Sequence, residues 1–599
     1  MAQQNDIDKM LPMVRWFDIS VLFKIIKPVI ISAIFGKYAD RRLVHAALDR
    51  PDENEMSARA DIRANFVPDE DGAVWFDYAA DTGDGFSSTY SIALSLAAPT
   101  LSIDGKTTRR GDLLVLGGDQ VYPDASLENY INRFQTPFMW ALPDQGSEEG
   151  VPHPYIFAVP GNHDWYDGLT LFLALFCKKT EWKIGNWRAP QRRSYFALRL
   201  TDDWWLWGVD VALEEDVDQP QSDYFEEILG QMPSGANLII CTAEPGWQYA
   251  SVRGEQTFNH KAYESLGYFS GLVRKSGKDI KIPLVLSGDT HHYCRYVAEK
   301  SGTQFITAGG GGAFLHPTHQ LQDEVRAWWF RSNDRLTLAP NTSRQSADVG
   351  GDAKARYPSE SASKKLLWGN LGFAFGNWKL SGLLGFDYAF FGLLSLMWSD
   401  LGTWANLFSN PLWWIAVLVN GAAFWGYADE RNWVRHGKVV FRNSAPWMRK
   451  AILASSHVLA HVVALTALAR LLYTYGTERL GLEFWTWGFN SYFVASMLLI
   501  GGIVAGTIFG SYLLFSCRLL AAHPNDAFSA LSLDGYKNFL RFRISGNSIT
   551  VFPIGLDTVP KRNLWKPNPA HETDASQPEV IADGGLTYRL IEEPIVISS

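Results

Sequence analysis

Seven short apolar runs, each stopping abruptly at a polar or Gly-rich cluster, constrain the first half of this chain more than any other feature. They are VWFDYAAD, DLLVLGGD, YIFAVPGN, WWLWGVD, NLIICTAE, IPLVLSGD and TQFITAGG, spread between about Phe66 and Ala313. Runs this short without polar interruption predict strands buried on both faces. Strands that all stop at polar clusters gather those clusters at one sheet edge, where α/β folds bind ligands.

Beyond about Lys365 the composition turns membranous. Four segments, about Leu380–Trp398, Leu412–Tyr427, Ala451–Tyr473 and Tyr492–Phe515, approach the length needed to cross a hydrocarbon core about 30 Å thick. The second is the weakest. The link between the second and third carries Arg431, Arg435, Lys438, Arg442, Arg449 and Lys450, whereas 399–410 has no Lys or Arg and 474–490 has Arg479 alone. The positive-inside bias predicts an integral membrane protein of about four spans, with the large N-terminal domain and the C-terminus cytoplasmic, at the plasma (inner) membrane. Aromatic span ends such as PLWW and FWTW, among 24 Trp in all, fit the interface. The competing reading is a hydrophobic bundle of a soluble protein.

Composition excludes other classes. A net charge of −9 over 599 residues with scattered Lys and Arg leaves no basic footprint, so nucleic acid is not expected. Cys177, Cys241, Cys294 and Cys517 fit neither a disulfide framework nor a zinc pattern. The expected division is 1–65, a helical or interfacial arm; 66–320, the α/β domain; 321–377, a linker; 378–517, a four-helix transmembrane region; and 518–599, a small β unit and tail. Ile19–Phe35 reads equally as an interfacial helix or a core-packed arm, because Lys24, Lys27 and Pro28 interrupt it. His457 and His461 share one face of the third span, where interhelical hydrogen bonding is the modest reading and a haem or metal site the other. Gly501, Gly502, Ala505, Gly506 and Gly510 suit close helix packing.

Four strand ends belong together: Asp81-Thr-Gly83, Gly118-Asp119-Gln-Val-Tyr122, Gly161-Asn162-His163-Asp164, and Gly288-Asp289-Thr-His291-His292-Tyr293-Cys-Arg295. Carboxylates, an amide oxygen and imidazoles meeting at one edge repel or stay unpaired without cations. This ordered set resembles the calcineurin-like metallophosphoesterases, the superfamily that includes purple acid phosphatases, over roughly residues 66–320. GNHD is the most specific piece, and GDTHHYCR is similar to the GHxHAYER ending of the purple acid phosphatases.

The resemblance implies a layered β-sandwich flanked by helices and a binuclear centre of two divalent ions. On it, Asp119 bridges both metals. Asp81 and His291 complete the first, with Tyr122 a phenolate ligand if that metal is ferric or otherwise a wall of the site. Asn162 ligates the second; His163 protonates or positions the leaving oxygen, and Asp164 holds His163 in its tautomer. Two departures stand out: Cys241-Thr-Ala-Glu244-Pro lacks the usual His, and Asp289 replaces the first His of GHxH. Glu244 and Asp289 as ligands would make the second site oxygen-rich, suited to Mn²⁺ or Mg²⁺, with Fe or Zn as alternatives. His260 is a third candidate for the missing imidazole, against a surface-loop reading. His292 and Arg295 are candidates to meet substrate oxygens, or else pack behind the ligands. The glycines of Ala308–Gly312 read as a sharp turn, with His316 and His319 as candidate rim contacts.

The expected function is a membrane-anchored metallophosphoesterase hydrolysing a phosphate ester, soluble or lipid-linked, with metal-activated water. The alternative is a non-catalytic phospho-ligand sensor or scaffold coupled to the bundle. A transporter is disfavoured because the spans lack paired carboxylates and an internal repeat. The oligomeric state is left open.

Overall fold

The computed structural model describes residues 2–24, 41–49, 51–146, 153–178, 182–211, 217–248, 261–329, 332–342, 353–398, 408–428 and 445–598. His260 and most of the basic link, Arg431 to Arg442, lie outside these residues.

All seven apolar runs form strands. They are β1 (Val74–Ala79), β2 (Leu113–Leu116), β3 (Tyr155–Ala158), β4 (Trp204–Val209), β5 (Asn237–Thr242), β6 (Lys281–Ser287) and, after β7 (Tyr293–Ala298), β8 (Gln304–Ala308). Strands β1, β2 and β3 pair in parallel in one nine-stranded sheet. Strands β4, β5, β6 and β8 pair in parallel in a second, with β7 antiparallel beside β8.

The period-two alternation of a strand decides the layers. Phe76, Tyr78 and Val115 of the first sheet meet Leu206, Ile239, Leu284 and Ile306 of the second in one buried cluster between the sheets. The opposite faces carry Trp75, Leu114 and Leu116 toward the helix Phe86–Ala97, and Trp207, Leu238 and Val285 toward the helices Gln219–Gln231 and Lys261–Lys275. Helices therefore cover both outer faces of two mixed sheets.

Two expectations need correcting. The C-terminal strands are not a separate unit: β9 (Lys537–Ser545) pairs antiparallel with β1, and β10 (Ser548–Leu556) pairs with β9. The match is chemical as well as geometric. Phe76 and Phe542, opposite in register, stack with centroids 4.3 Å apart, and Asp77 opposes Arg541 in a buried pair at 3.2 Å. The 321–377 segment is not simply a linker either. Glu324–Trp329 and Ser332–Leu338 form a hairpin on the edge of the second sheet, and Arg356–Tyr357 pairs with β7.

Among the described residues three helices are long and apolar enough to cross a membrane: α1 (Trp378–Met397), α3 (Trp447–Arg479) and α4 (Trp487–Leu520). The fourth expected span is α2 (Pro411–Tyr427), a helix of 17 residues packed on α3 and at the short limit for a crossing. The 34 residues of α4 extend for about 50 Å, well beyond a hydrocarbon core. Its small residues let backbones touch. A Cβ on Gly506 would lie 2.9 Å from Ala374 Cα, and one on Gly510 would lie 2.0 Å from the Asn370 carbonyl oxygen. His461 Nδ1 lies 3.0 Å from the Tyr388 hydroxyl of α1, the interhelical hydrogen bond its placement suggested.

Candidate functional site

The polar strand ends meet at one edge of the sandwich. Asp81 follows β1, Asp119 follows β2, Asn162 and His163 follow β3, and Asp289 and His291 lie between β6 and β7. Asp81, Asp119 and Asp289 all adopt left-handed backbone, φ 60°, 49° and 65°. Non-glycine residues rarely hold that conformation, and three at equivalent strand ends mark a site where packing overrides local preference. Glycines make the close approach feasible. A Cβ on Gly161 would lie 2.1 Å from Asp119 Oδ1, and one on Gly288 would lie 2.7 Å from Asp81 Oδ2.

The floor is a proton-poor cluster around one phenol. Tyr122 Oη lies 3.1 Å from Asp81 Oδ1, 3.0 Å from Asp119 Oδ2 and 3.0 Å from His291 Nε2. His291 Nδ1 sits 2.6 Å from the Phe314 carbonyl. A carbonyl only accepts, so Nδ1 carries the proton and Nε2 presents a lone pair. One hydroxyl proton then faces three acceptors. Burial, aided by the charges of Asp119 and Asp289, raises Asp81 well above the usual carboxylate range. Burial and the Asp289 charge push Asp119 up to about 8. The cluster must hold extra protons or a cation.

The donor chemistry fits a cation. Asn162 Oδ1 is buried with no hydrogen-bond partner. His291 has its free nitrogen fixed by a backbone carbonyl, the support usual behind metal-bound imidazole. Among the described residues no three His, Cys, Asp or Glu side chains form a ready ligand set by themselves. The reason is visible: the converging set includes a phenol and an amide, and the phenol hydroxyl occupies the space between the others. Glu244 is buried near this edge. The carbonyl of its neighbour Ala243 accepts from Gly288 N at 2.9 Å, and a Cβ on Gly118 would meet Ala243.

Two expected roles fail on geometry. Asp164 does not hold His163. Its Oδ2 accepts from Gly161 N (2.9 Å) and Gln120 N (3.3 Å), and its Oδ1 from the Tyr130 hydroxyl (2.6 Å), so it ties the β3 turn to the β2 turn. His163 Nδ1 instead lies 2.9 Å from the Pro123 carbonyl, and its backbone N donates to Asp119 Oδ1 at 2.9 Å. Arg295 does not face substrate. Its Nε and Nη2 donate to Glu592 at 2.9 and 2.7 Å, and its Nη1 to Gln304 at 2.9 Å, inside the sandwich. His292 is buried with both ring nitrogens unpaired, and burial lowers its pKa to about 3. His316 packs tilted beside His291 at 4.0 Å between centroids, whereas His319 is buried against Ser363 and Cys517, away from a rim position.

The motifs did not reveal Lys537. It is fully buried at the start of β9 and donates its Nζ proton to the Ala313 carbonyl. Burial lowers its pKa to about 8, against the charges of Asp534, Asp84 and Asp81. A lysine opening a C-terminal strand gives no hint of this position, because only the β1–β9 pairing brings it here.

No protein-family model and no curated protein matches the chain. Solved structures that it is similar to include GAP50, the anchor in the inner membrane complex of Plasmodium, at 13% identity and TM-score 0.30, covering 45% of this chain and 82% of that one. Another is the purple acid phosphatase PPD1 from yellow lupin (Lupinus luteus) seeds, at 13% identity and TM-score 0.27, covering 45% of this chain and 48% of that one.

Proposed function

We propose that this protein is a membrane-associated, metal-dependent phosphoesterase. The observation that carries the reading is the Asp81–Asp119–Tyr122–His291 cluster, whose acceptors outnumber its protons at the convergence of three strand ends. Asp81, Asp119, His291 and Tyr122 would hold one ion; Asp119 and Asn162, with Glu244 or Asp289, would hold a second, Mn²⁺ or Mg²⁺ before Fe or Zn. Such ions, when bound, neutralise phosphoryl charge and lower the pKa of water.

The remaining work falls to the chain. Asp164 and Tyr130 fix the turn that presents Asn162 and His163. His163 keeps its proton on Nδ1, toward Pro123, so Nε2 is the atom that takes and passes a proton beside the leaving oxygen. Hydrolysis forms a P–O bond to water and breaks the P–O bond to the alcohol. The proton lost by water ends on that alcohol. His292 stays in the proposal as an unpaired imidazole behind the site.

The test is hydrolysis of a chromogenic monoester and diester by the detergent-solubilised, Mn²⁺-loaded protein. Turnover is expected for at least one, and Asp119→Asn should abolish it. Equal rates in the two proteins exclude the enzymatic reading. The central Tyr122 hydroxyl favours the alternative to that extent: a phenol that keeps its proton ties the carboxylates together, leaving a phospho-ligand sensor without turnover.

A further inference from the structure

The site has a roof that the motifs do not account for. Residues 14–18 run between the sandwich edge and the helical bundle, and a turn closed by Asp18 N donating to the Arg15 carbonyl at 2.8 Å sends their side chains to two sides. Val14 packs with Tyr122 and Ala313. The Trp16 ring lies 5.6 Å from the His163 ring and 6.0 Å from Phe314, centroid to centroid. Arg15 and Phe17 turn the other way. Arg15 Nη1 donates to the Gly376 carbonyl at 2.5 Å, and the Phe17 ring lies 5.2 Å from Phe373 and 5.7 Å from Phe509 of α4. Asp18 closes the strap with an ion pair to Lys379, in the first turn of α1, at 2.5 Å. The strap is pinned at its other end, where Val14 N donates to buried Asp84 at 2.7 Å and Arg133 donates to the Pro12 carbonyl at 2.8 Å.

Three features of this roof point to an amphiphilic ligand, with an acceptor for a buried donor and an apolar part. Trp16 Nε1 is buried with no hydrogen-bond partner, although a buried indole N–H ordinarily finds one. The roof is apolar (Val14, Trp16, Val21, Phe314) above a floor of carboxylates, so it suits the organic part of an ester and not its phosphate. The strap also leads toward the bilayer. The helical residues that follow it expose Phe23 at 73%, and the bundle segment it meets presents Phe375 at 72% and Trp378 at 64%. Large apolar and aromatic groups exposed at the start of a spanning helix mark the headgroup level.

We infer that the strap is the chain-binding half of the site: Trp16, part-buried beside His163, receives the hydrocarbon part of an amphiphilic phosphate ester while its phosphate rests on the Asp81–Asp119–His163 floor. The substrate is thus drawn from the membrane interface, and the alcohol product, protonated as the P–O bond breaks, returns to it. This rests on the phosphoesterase reading above.

The experiment uses the full chain in dodecyl maltoside micelles, loaded with Mn²⁺, and two substrate pairs that keep the phosphate and change only the chain. These are hexadecyl against butyl phosphate, and 4-nitrophenyl hexadecyl against 4-nitrophenyl methyl phosphate. In the pair that turns over, the long-chain ester is expected to show at least 30-fold higher kcat/KM. Trp16→Ala is expected to cut that preference at least fivefold, mainly through KM, and Trp16→Phe to restore most of it. Micelle partition is the same for every variant, so a change in preference reports the roof. A short-chain ester turned over as well as the long one, or a preference untouched by Trp16→Ala, overturns the inference and leaves the phosphoesterase reading standing. No turnover of any of the four esters overturns both.

Discussion

The Arg295–Glu592 pair separates a structural arginine from a substrate-binding one. Arg295 sits on β7 and Glu592 in the C-terminal segment, with side-chain exposures of 8% and 0%. Two parallel hydrogen bonds, 2.9 and 2.7 Å, join them, and Tyr293 donates a third to the same carboxylate. Removing one partner leaves a buried charge uncompensated, which costs about 3–5 kcal/mol. Glu592→Leu and Arg295→Met should each fall in that range. The double variant removes both charges and leaves Tyr293 and Gln304 to be satisfied, so it should cost only about 1–2 kcal/mol. The coupling energy in a double-mutant cycle is then about 4 kcal/mol or more in favour of the pair. The assay is a urea series on the solubilised protein, read by limited proteolysis of the C-terminal segment, beside kcat/KM under conditions where every variant is folded. Turnover in Arg295→Met should stay within about threefold of wild type. Arg295→Met that unfolds like wild type yet loses turnover refutes the reasoning and puts the guanidinium on the substrate.

Other perturbations test the β1–β9 seam. Gly310→Ala would place a Cβ 2.0 Å from Asn538 Nδ2 and 2.7 Å from its backbone N, so a loss of about 1–3 kcal/mol and of turnover is expected. As a control away from the seam, Gly230→Ala, in open space on a helix, should be neutral or slightly stabilising in the same urea series. Burial raises the Asp69 pKa, but Arg543 of β9, the Trp75 indole and two backbone amides overcome this and hold it at about 2 against 3.8. A depressed carboxylate pKa stabilises the fold above pH 3.8 and stops doing so as pH falls toward 2. After allowance for solvent screening, that contribution is about 1 kcal/mol. The gap in unfolding midpoint between wild type and Asp69→Asn should therefore be full at pH 5 and shrink by pH 3; a gap that widens on acidification contradicts the pairing.

The strands and the site edge were legible because uninterrupted apolar runs and their Gly-Asp stops are local signals. Each run in the first half became a strand, and the motif residues Asp81, Asp119, Tyr122 and His291 converge. What the sequence did not disclose depends on contacts between distant segments. NFLRFRI alternates like any half-buried strand, and nothing in it says that Phe542 will stack on Phe76 or that Arg541 will meet Asp77. The local sequence leaves Arg295 open between substrate and packing because the partner that decides it, Glu592, lies 297 residues away. Asp164 seemed poised for His163 because adjacency in a motif resembles contact, whereas the turn sends the two side chains to different partners. The short α2 shows the limit of hydropathy: composition identifies an apolar helix, while its 17 residues leave crossing at the margin.

Metal content tests the central claim most directly. The full chain and Asp119→Asn, both reconstituted with excess Mn²⁺ and desalted, are compared by inductively coupled plasma mass spectrometry, with circular dichroism as the check on folding. The wild type should retain about two ions per chain, and the folded variant at least one fewer. Equal metal in the two proteins, or none in either, contradicts a cation-holding cluster at Asp81, Asp119, Asn162 and His291.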